Sequence, residues 1–168
     1  SEATYAIKPS MKMLINMRSE THKMNYSGTS LNYGEELPYV ALNTENSHFG
    51  GKIAIINQLN GNTSRSISIS RGFKAGGINQ NPYLSDDSRL FSPESNINLE
   101  TSYTYSNKNT YANIVAFYML RNNQQVQISN QQDPGDPNSF YYFTANAGNG
   151  YNMGAEIALT RAITQNLI

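Results

Sequence analysis

The sequence predicts an all-β protein, a segment of an antiparallel, up-and-down transmembrane β-barrel. Three observations carry this. Charge and apolar mass are both low, side chains alternate at period two along many segments, and short and long connections take turns.

The chain has 168 residues, of which 14% are charged and 38% hydrophobic. Average soluble domains carry roughly 25% and ~45–50%. Asn, Ser, Thr, Gln and Tyr fill the difference. A water-soluble globule lacking both charge and apolar mass has little with which to build a dry core. A barrel in lipid needs only a thin apolar outer band around a polar lumen. The formal net charge is +0, which gives no footprint for nucleic acid. Cysteine is absent, excluding disulfides and thiolate chemistry. The longest apolar run, Ile114 to Leu120, is far short of the ~20 residues of a transmembrane helix. No signal peptide is visible at Ser1.

The strands follow from alternation. Met11, Met13, Ile15 and Met17 share one face, with Lys12, Leu14, Asn16 and Arg18 on the other. Ile53, Ile55 and Leu59 alternate with Lys52, Ala54 and Gln58, Asn57 interrupting the apolar face. Ile67 and Ile69 alternate with Ser66, Ser68 and Ser70. Leu99 and Tyr103 alternate with Asn98, Glu100, Ser102 and Thr104. Met153, Ala155, Ile157 and Leu159 alternate with Asn152, Gly154, Glu156 and Thr160.

Short polar turns are expected at Pro9-Ser10, Asn60-Gly61-Asn62, Asn107-Lys108-Asn109 and Thr164-Gln165-Asn166. Between them lie long polar stretches, Thr21 to Phe49, Lys74 to Ser95 and Asn130 to Phe140. The pattern repeats about every 50 residues. In a meander, alternate connections emerge on opposite rims, and bacterial barrels keep short periplasmic turns on one rim and long extracellular loops on the other. Tyr105 and Tyr111, flanking the Asn107–Asn109 turn, are expected in an interfacial girdle. The order implied is seven strands, with an eighth beginning near Asn166. Lipid cannot satisfy a strand edge, so the wall must close. Single-chain bacterial barrels have even strand numbers from 8 upward, so the sequence reads as cut rather than finished.

Several stretches resemble TonB-dependent outer-membrane receptors. They are Ser70-Arg71-Gly72-Phe73-Lys74-Ala75-Gly76-Gly77-Ile78-Asn79, then Phe91-Ser92-Pro93-Glu94, then Asn98-Leu99-Glu100-Thr101-Ser102. Phe117-Tyr118-Met119 with Gln124-Gln125-Val126-Gln127, and Asn146-Ala147-Gly148 with Tyr151-Asn152-Met153-Gly154-Ala155-Glu156, continue the family's order and spacing. The opening Glu2-Ala3-Thr4-Tyr5 is similar to a family strand start. Ser102, Leu120 and Arg65 depart from the residues usual there.

The resemblance implies a 22-stranded barrel with an N-terminal plug. Residues 1–168 would be a partial barrel from its later part, with the plug and the TonB-interacting motif elsewhere. It implies an outer-membrane receptor and transporter for a scarce ligand, commonly a ferric siderophore, powered by TonB. The implied partners are TonB, the plug, that ligand and outer-membrane lipid, with no cofactor.

Candidate site residues follow from chemistry. Glu100 and Glu156 fall on the polar, lumen-facing side. They could meet the plug or substrate path, or simply form a structural network with Lys12, Arg18 or Lys52. Phe73, Lys74, Tyr83, Tyr141 and Tyr142 lie in or beside long loops, where aromatic and basic groups suit an anionic, aromatic iron chelate. Loops here are also simply tyrosine-rich. His22 and His48 bound the first long stretch and read more simply as loop residues than as metal ligands. Asp133-Pro134-Gly135-Asp136-Pro137 reads as paired tight turns rather than a calcium site. Gly148, Gly150 and Gly154 do not match a dinucleotide fingerprint, and no hydrolase motif occurs, so no enzyme is expected.

Two other architectures fit in part. One is a small structural barrel that closes on itself. The other is a secreted β-sandwich that binds sugar or protein, which requires the Met11/Met13/Ile15/Met17 and Ile53/Ile55 faces to pack against each other.

Overall fold

The computed structural model describes residues 2–32 and 34–163. In chain order its elements are β1 Glu2–Lys8, β2 Met11–Gly28, β3 Leu31–Asn32, β4 Glu35–Glu36, β5 Val40–Asn60, β6 Thr63–Lys74 and β7 Gly77–Ile78. A one-turn helix α1 Asp86–Arg89 follows, then β8 Leu90–Phe91, β9 Glu94–Ser106, β10 Thr110–Asn122, β11 Gln125–Gln131, β12 Phe140–Asn146 and β13 Gly150–Arg161. One 7-stranded sheet runs in the order β1-β2-β5-β6-β9-β10-β13. Every neighbouring pair is antiparallel, giving the expected meander. The expected turn at 164–166 and the eighth strand lie outside the described residues.

Register converts the alternation into a surface. Ala3, Ile15, Ile53, Ile69, Leu99, Tyr118 and Met153 stand in one row, strand after strand. The next row is Tyr5, Met13, Ile55, Ile67, Thr101, Ala116 and Ala155. Neither row contains a charge. On the opposite face, Thr4, Leu14, Ala54, Ser68, Glu100, Phe117 and Gly154 form a row, beside Glu2, Asn16, Lys52, Ser70, Asn98, Met119 and Asn152. Phe117 fits among polar neighbours because its ring lies over Gly154, where a Cβ would come within 2.9 Å of it.

Nothing among the described residues covers the apolar face: Ile53 is 48% exposed and Ile69 51%. The buried hydrophobic residues described are Ala54, Ile78 and Leu84. A sandwich would place a second sheet on this face. Instead Met13 pairs with Ile55 and Ile15 with Ile53 side by side in one sheet, against the packing that the sandwich requires.

The apolar stripe has edges. On β5 it runs from Phe49 to Leu59, about 10 residues of ~3.3 Å rise. At the ~40° tilt of barrel strands this spans ~25 Å, the height of a lipid-facing band. Arg65, opposite Asn57 and Tyr103, marks the end near the short turns. A long, polar-tipped side chain at the end of the stripe can lay its stem along apolar surface and turn its charge away from it, which fits both the unexpected Arg and the interrupting Asn. Tyr118 and Tyr151 stack at 6.0 Å toward the other end. The expected girdle pair is split. Tyr105 stands opposite Ala112 on the apolar side, while Tyr111 stands opposite Ser106, one residue out of phase and on the other face.

Three short turns lie where the sequence places them. The Asn60 Oδ1 accepts the Asn62 N–H at 2.9 Å, and Asn107 Oδ1 accepts from Asn109 and Thr110 at 2.9 and 2.8 Å. These are Asx turns, which pull the chain round within a few residues.

The first long stretch needs correction. Thr21 to Phe49 is not mainly loop. Strand β2 continues to Gly28, β5 starts at Val40, and the two pair throughout. Only residues 29–39 connect them, including the short β3–β4 pair. The outward side chains there are polar, with Lys23 bridging Glu45 at 3.0 Å and Thr21 bonded to Ser47 at 3.1 Å. Polar cross-strand pairs suit a hairpin in water as well as apolar ones suit lipid. The hairpin therefore projects beyond the band. The third stretch lies where it is expected: Asn130 to Phe140 is the tip of the β11–β12 hairpin, whose strands end at Gln131 and resume at Phe140.

Candidate functional site at the long-connection rim

The long connections all emerge on one rim, where polar side chains tie them together. Glu94, 8% exposed, opens β9. Arg121 on β10 donates to its Oε1 from Nε at 3.0 Å and also from Nη2. The Gln125 backbone N–H donates to Oε2 at 2.9 Å. The Gln125 side chain then reaches across to the carbonyls of Ala75 at 2.8 Å and Ser92 at 3.1 Å.

Two asparagines repeat this device. Asn146 Oδ1 accepts from the Ser92 N–H at 2.7 Å, while its Nδ2 donates to the Ser92 and Asn123 carbonyls, each at 2.9 Å. Asn79 Oδ1 accepts the Thr144 N–H at 2.9 Å and its Nδ2 donates to the Thr144 and Ser88 carbonyls at 2.8 and 2.9 Å. An amide that satisfies both the N–H and C=O of a distant residue works like one rung of a sheet. The second connection, 75–93, is thus clasped to the third, 123–149.

The first connection meets the second differently. Tyr26 and Val40 on the half-buried face of the β2–β5 hairpin face Leu84 and Arg89 across a cleft of about 360 Å³. Arg89 is 6% exposed and holds its own loop, donating to the carbonyls of Asn81 and Pro82 at 3.2 Å each.

The candidate ligand residues divide. Tyr83 and Tyr141 come together, ring centroids 6.3 Å apart, and Tyr141 stacks on Phe143 at 6.0 Å. Tyr142, 62% exposed, is the neighbour of both but projects from the other side of β12. Phe73 stands apart from this group. It stacks on His48 at 4.9 Å, and the Arg18 guanidinium sits 5.2 Å from its ring centre while also pairing with Glu20. Lys74 ends β6 opposite Glu94, beside the clasp.

Glu100 and Glu156 both lie on the face away from the apolar rows. Lys52 Nζ is 3.9 Å from Glu100 Oε1, one of the structural partners expected for it. Both groups are more than a third exposed, so the pair contributes at most about 1 kcal/mol. His22 and His48 are in strands, not loops: His22 opposes Asn46 and His48 opposes Glu20, which makes the histidines diagonal neighbours. In the Asp133–Pro137 segment the carboxylates accept backbone N–H groups of Gly135 and Asn138, each at 2.8 Å, as tight turns require.

Asn79, Arg121, Gln125 and Asn146 were not singled out as site residues by sequence reasoning. Three of them lay within the stretches that carried the family resemblance. That was the available signal, and it gave position without role.

An antiparallel meander with an apolar band outside, a polar opposite face, tight turns on one rim and clasped loops on the other is the wall of a β-barrel. The chain belongs to the TonB-dependent receptor-like β-barrel family, whose model matches residues 14–166. Among solved structures it is similar to the ferric yersiniabactin uptake receptor FyuA from Yersinia pestis. The TM-score is 0.74 at 17% identity, over 98% of this chain and 23% of that one. It is also similar to the ferric-catecholate import receptor Fiu from K12 E. coli, in its closed form. There the TM-score is 0.68 at 14% identity, over 96% of this chain and 24% of that one. The chain therefore spans about a quarter of the length of either receptor. No curated protein sequence matches it.

Proposed function

We propose that these residues form part of the wall and outer mouth of an outer-membrane receptor that takes up a scarce ligand, a ferric siderophore, with energy from TonB. The observation that carries this reading is the clasp. Glu94, Gln125, Asn79 and Asn146 hold two long connections as one body above the polar face, as a ligand-gathering mouth needs. The paired Tyr83 and Tyr141 offer aromatic faces to an iron chelate, Lys74 offers charge beside the clasp, and Phe73, apart from them against His48, is a separate aromatic contact on this reading. Tyr142, exposed on the opposite side of β12, is a further contact on this reading. Glu100 and Glu156 face the lumen, where the plug of the full-length receptor would meet them. The role is transport rather than catalysis.

Uptake of radioactive iron chelates by iron-starved cells tests the proposal. Deleting the gene is expected to reduce uptake of one ferric siderophore to background, and deleting TonB should do the same. Undiminished uptake of every ferric siderophore offered, with loss of some other nutrient, would overturn the ligand assignment.

A further inference from the structure

The outer, apolar face holds a groove that the receptor role does not use. It measures about 220 Å³ and lies over Gly51, between Ile15, Phe49, Ile53, Ile69 and Ile97, with Arg71 at its edge. Gly51 creates it. A Cβ there would stand 2.5 Å from the backbone oxygen of Asn16, so the close approach of β2 to β5 admits no side chain. Every flanking neighbour in the rows is large, so the missing side chain leaves a notch in the band.

The groove sits at the band's edge toward the long connections, because Gly51 and Arg71 pair one step beyond the Ile53–Ile69 row. That rim is the extracellular one in bacterial barrels. Arg71 Nη1 donates to the Phe49 carbonyl at 2.7 Å, which fixes the guanidinium beside the groove. Among the described residues Arg71 forms no ion pair, whereas Arg18, Lys23 and Lys52 each have a carboxylate partner. A cation held by one carbonyl and lacking an acid, at the boundary of lipid and headgroup, retains its capacity for phosphate.

We infer that this groove binds an anionic, phosphate-bearing lipid of the outer leaflet, with an acyl chain over Gly51 and the headgroup phosphate on Arg71. The inference rests on the reading that this face meets lipid. Shape and charge together pick the occupant. An acyl chain fills an apolar notch that ordinary annular contact leaves open, and the phosphate supplies the acid that Arg71 lacks. A free anion would gain nothing from the groove, and a zwitterionic lipid would gain less from Arg71.

Native mass spectrometry of the full-length receptor in detergent, titrated with phosphatidylglycerol or phosphatidylcholine, measures this. Phosphatidylglycerol is expected to bind more tightly to wild type. Arg71→Gln should weaken it about five-fold, the share of one basic residue at an anionic surface. Arg71→Lys should restore most of it, and phosphatidylcholine should be unaffected by either change. Filling the groove with Ile69→Phe should weaken both lipids. Equal binding of the two lipids by wild type, or displacement by inorganic phosphate alone, would overturn the inference. If spin labels at Ile53 still report lipid contact, that failure leaves the receptor reading standing.

Discussion

Replacing Ile55 by Lys is expected to impair assembly of the full-length receptor into its membrane, at a cost of about 2–4 kcal/mol. Ile55 lies midway along the β5 stripe between Phe49 and Leu59 and is flanked by Met13 and Ile67. A lysine there has no water within reach of a short snorkel, and no carboxylate stands in its row. Gln58→Lys is the matched control. The Gln58 amide already donates to the carbonyls of Asn60 at 2.6 Å and Thr63 at 3.2 Å, and an ammonium does the same. The check is the fraction of folded, heat-modifiable receptor in outer-membrane fractions. Equal loss from both variants would remove the distinction between the faces.

The second large effect is at the clasp. Glu94→Ala leaves the Arg121 guanidinium and the Gln125 N–H without their acceptor, in a site where Glu94 is 8% exposed. Breaking a buried pair from one side costs about 3–5 kcal/mol. Arg121 is 27% exposed, so water recovers part of this and about 2–3 kcal/mol remains. The loss should fall on the rim rather than the wall. Protease nicking within 75–93 and 123–149 should rise sharply while the folded barrel persists. Lys23→Ala, which breaks a bridge whose partners are 65% and 57% exposed, is expected to change nicking little. Similar nicking in the two variants would mean that the clasp does not hold the loops.

The wall was legible because lipid imposes a strict rule. Wherever strands cross the band, one face must be apolar, and period two follows in Ile53, Ile55, Ile67 and Ile69. The β2–β5 extension was not legible as strand. In water the pairs Thr21–Ser47 and Lys23–Glu45 obey no such rule, so their polarity looked like loop. Tyr111 was misplaced by the same logic in reverse, since proximity to a turn says nothing about phase. His22 and His48 read as loop residues because of the hairpin's polarity, yet both lie in paired strands, where antiparallel pairing makes them diagonal neighbours. The clasp was the least legible part. Asn79 meets Thr144 across 65 positions and Asn146 meets Ser92 across 54, and an isolated asparagine in a loop carries no sign of its partner.

Contact of one face of this sheet with lipid is directly measurable. Absence of cysteine from these residues permits single-cysteine spin labels without background here. Labels at Ile53, Ile55, Ile67 and Ile69, and at Lys52, Gln58, Ser66 and Ser70, would be compared in the full-length receptor in bilayers. High oxygen and low nickel-chelate accessibility is expected at the four isoleucine positions and the reverse at the other four. Oxygen accessibility that is equal on the two faces, or higher on the polar one, would contradict it.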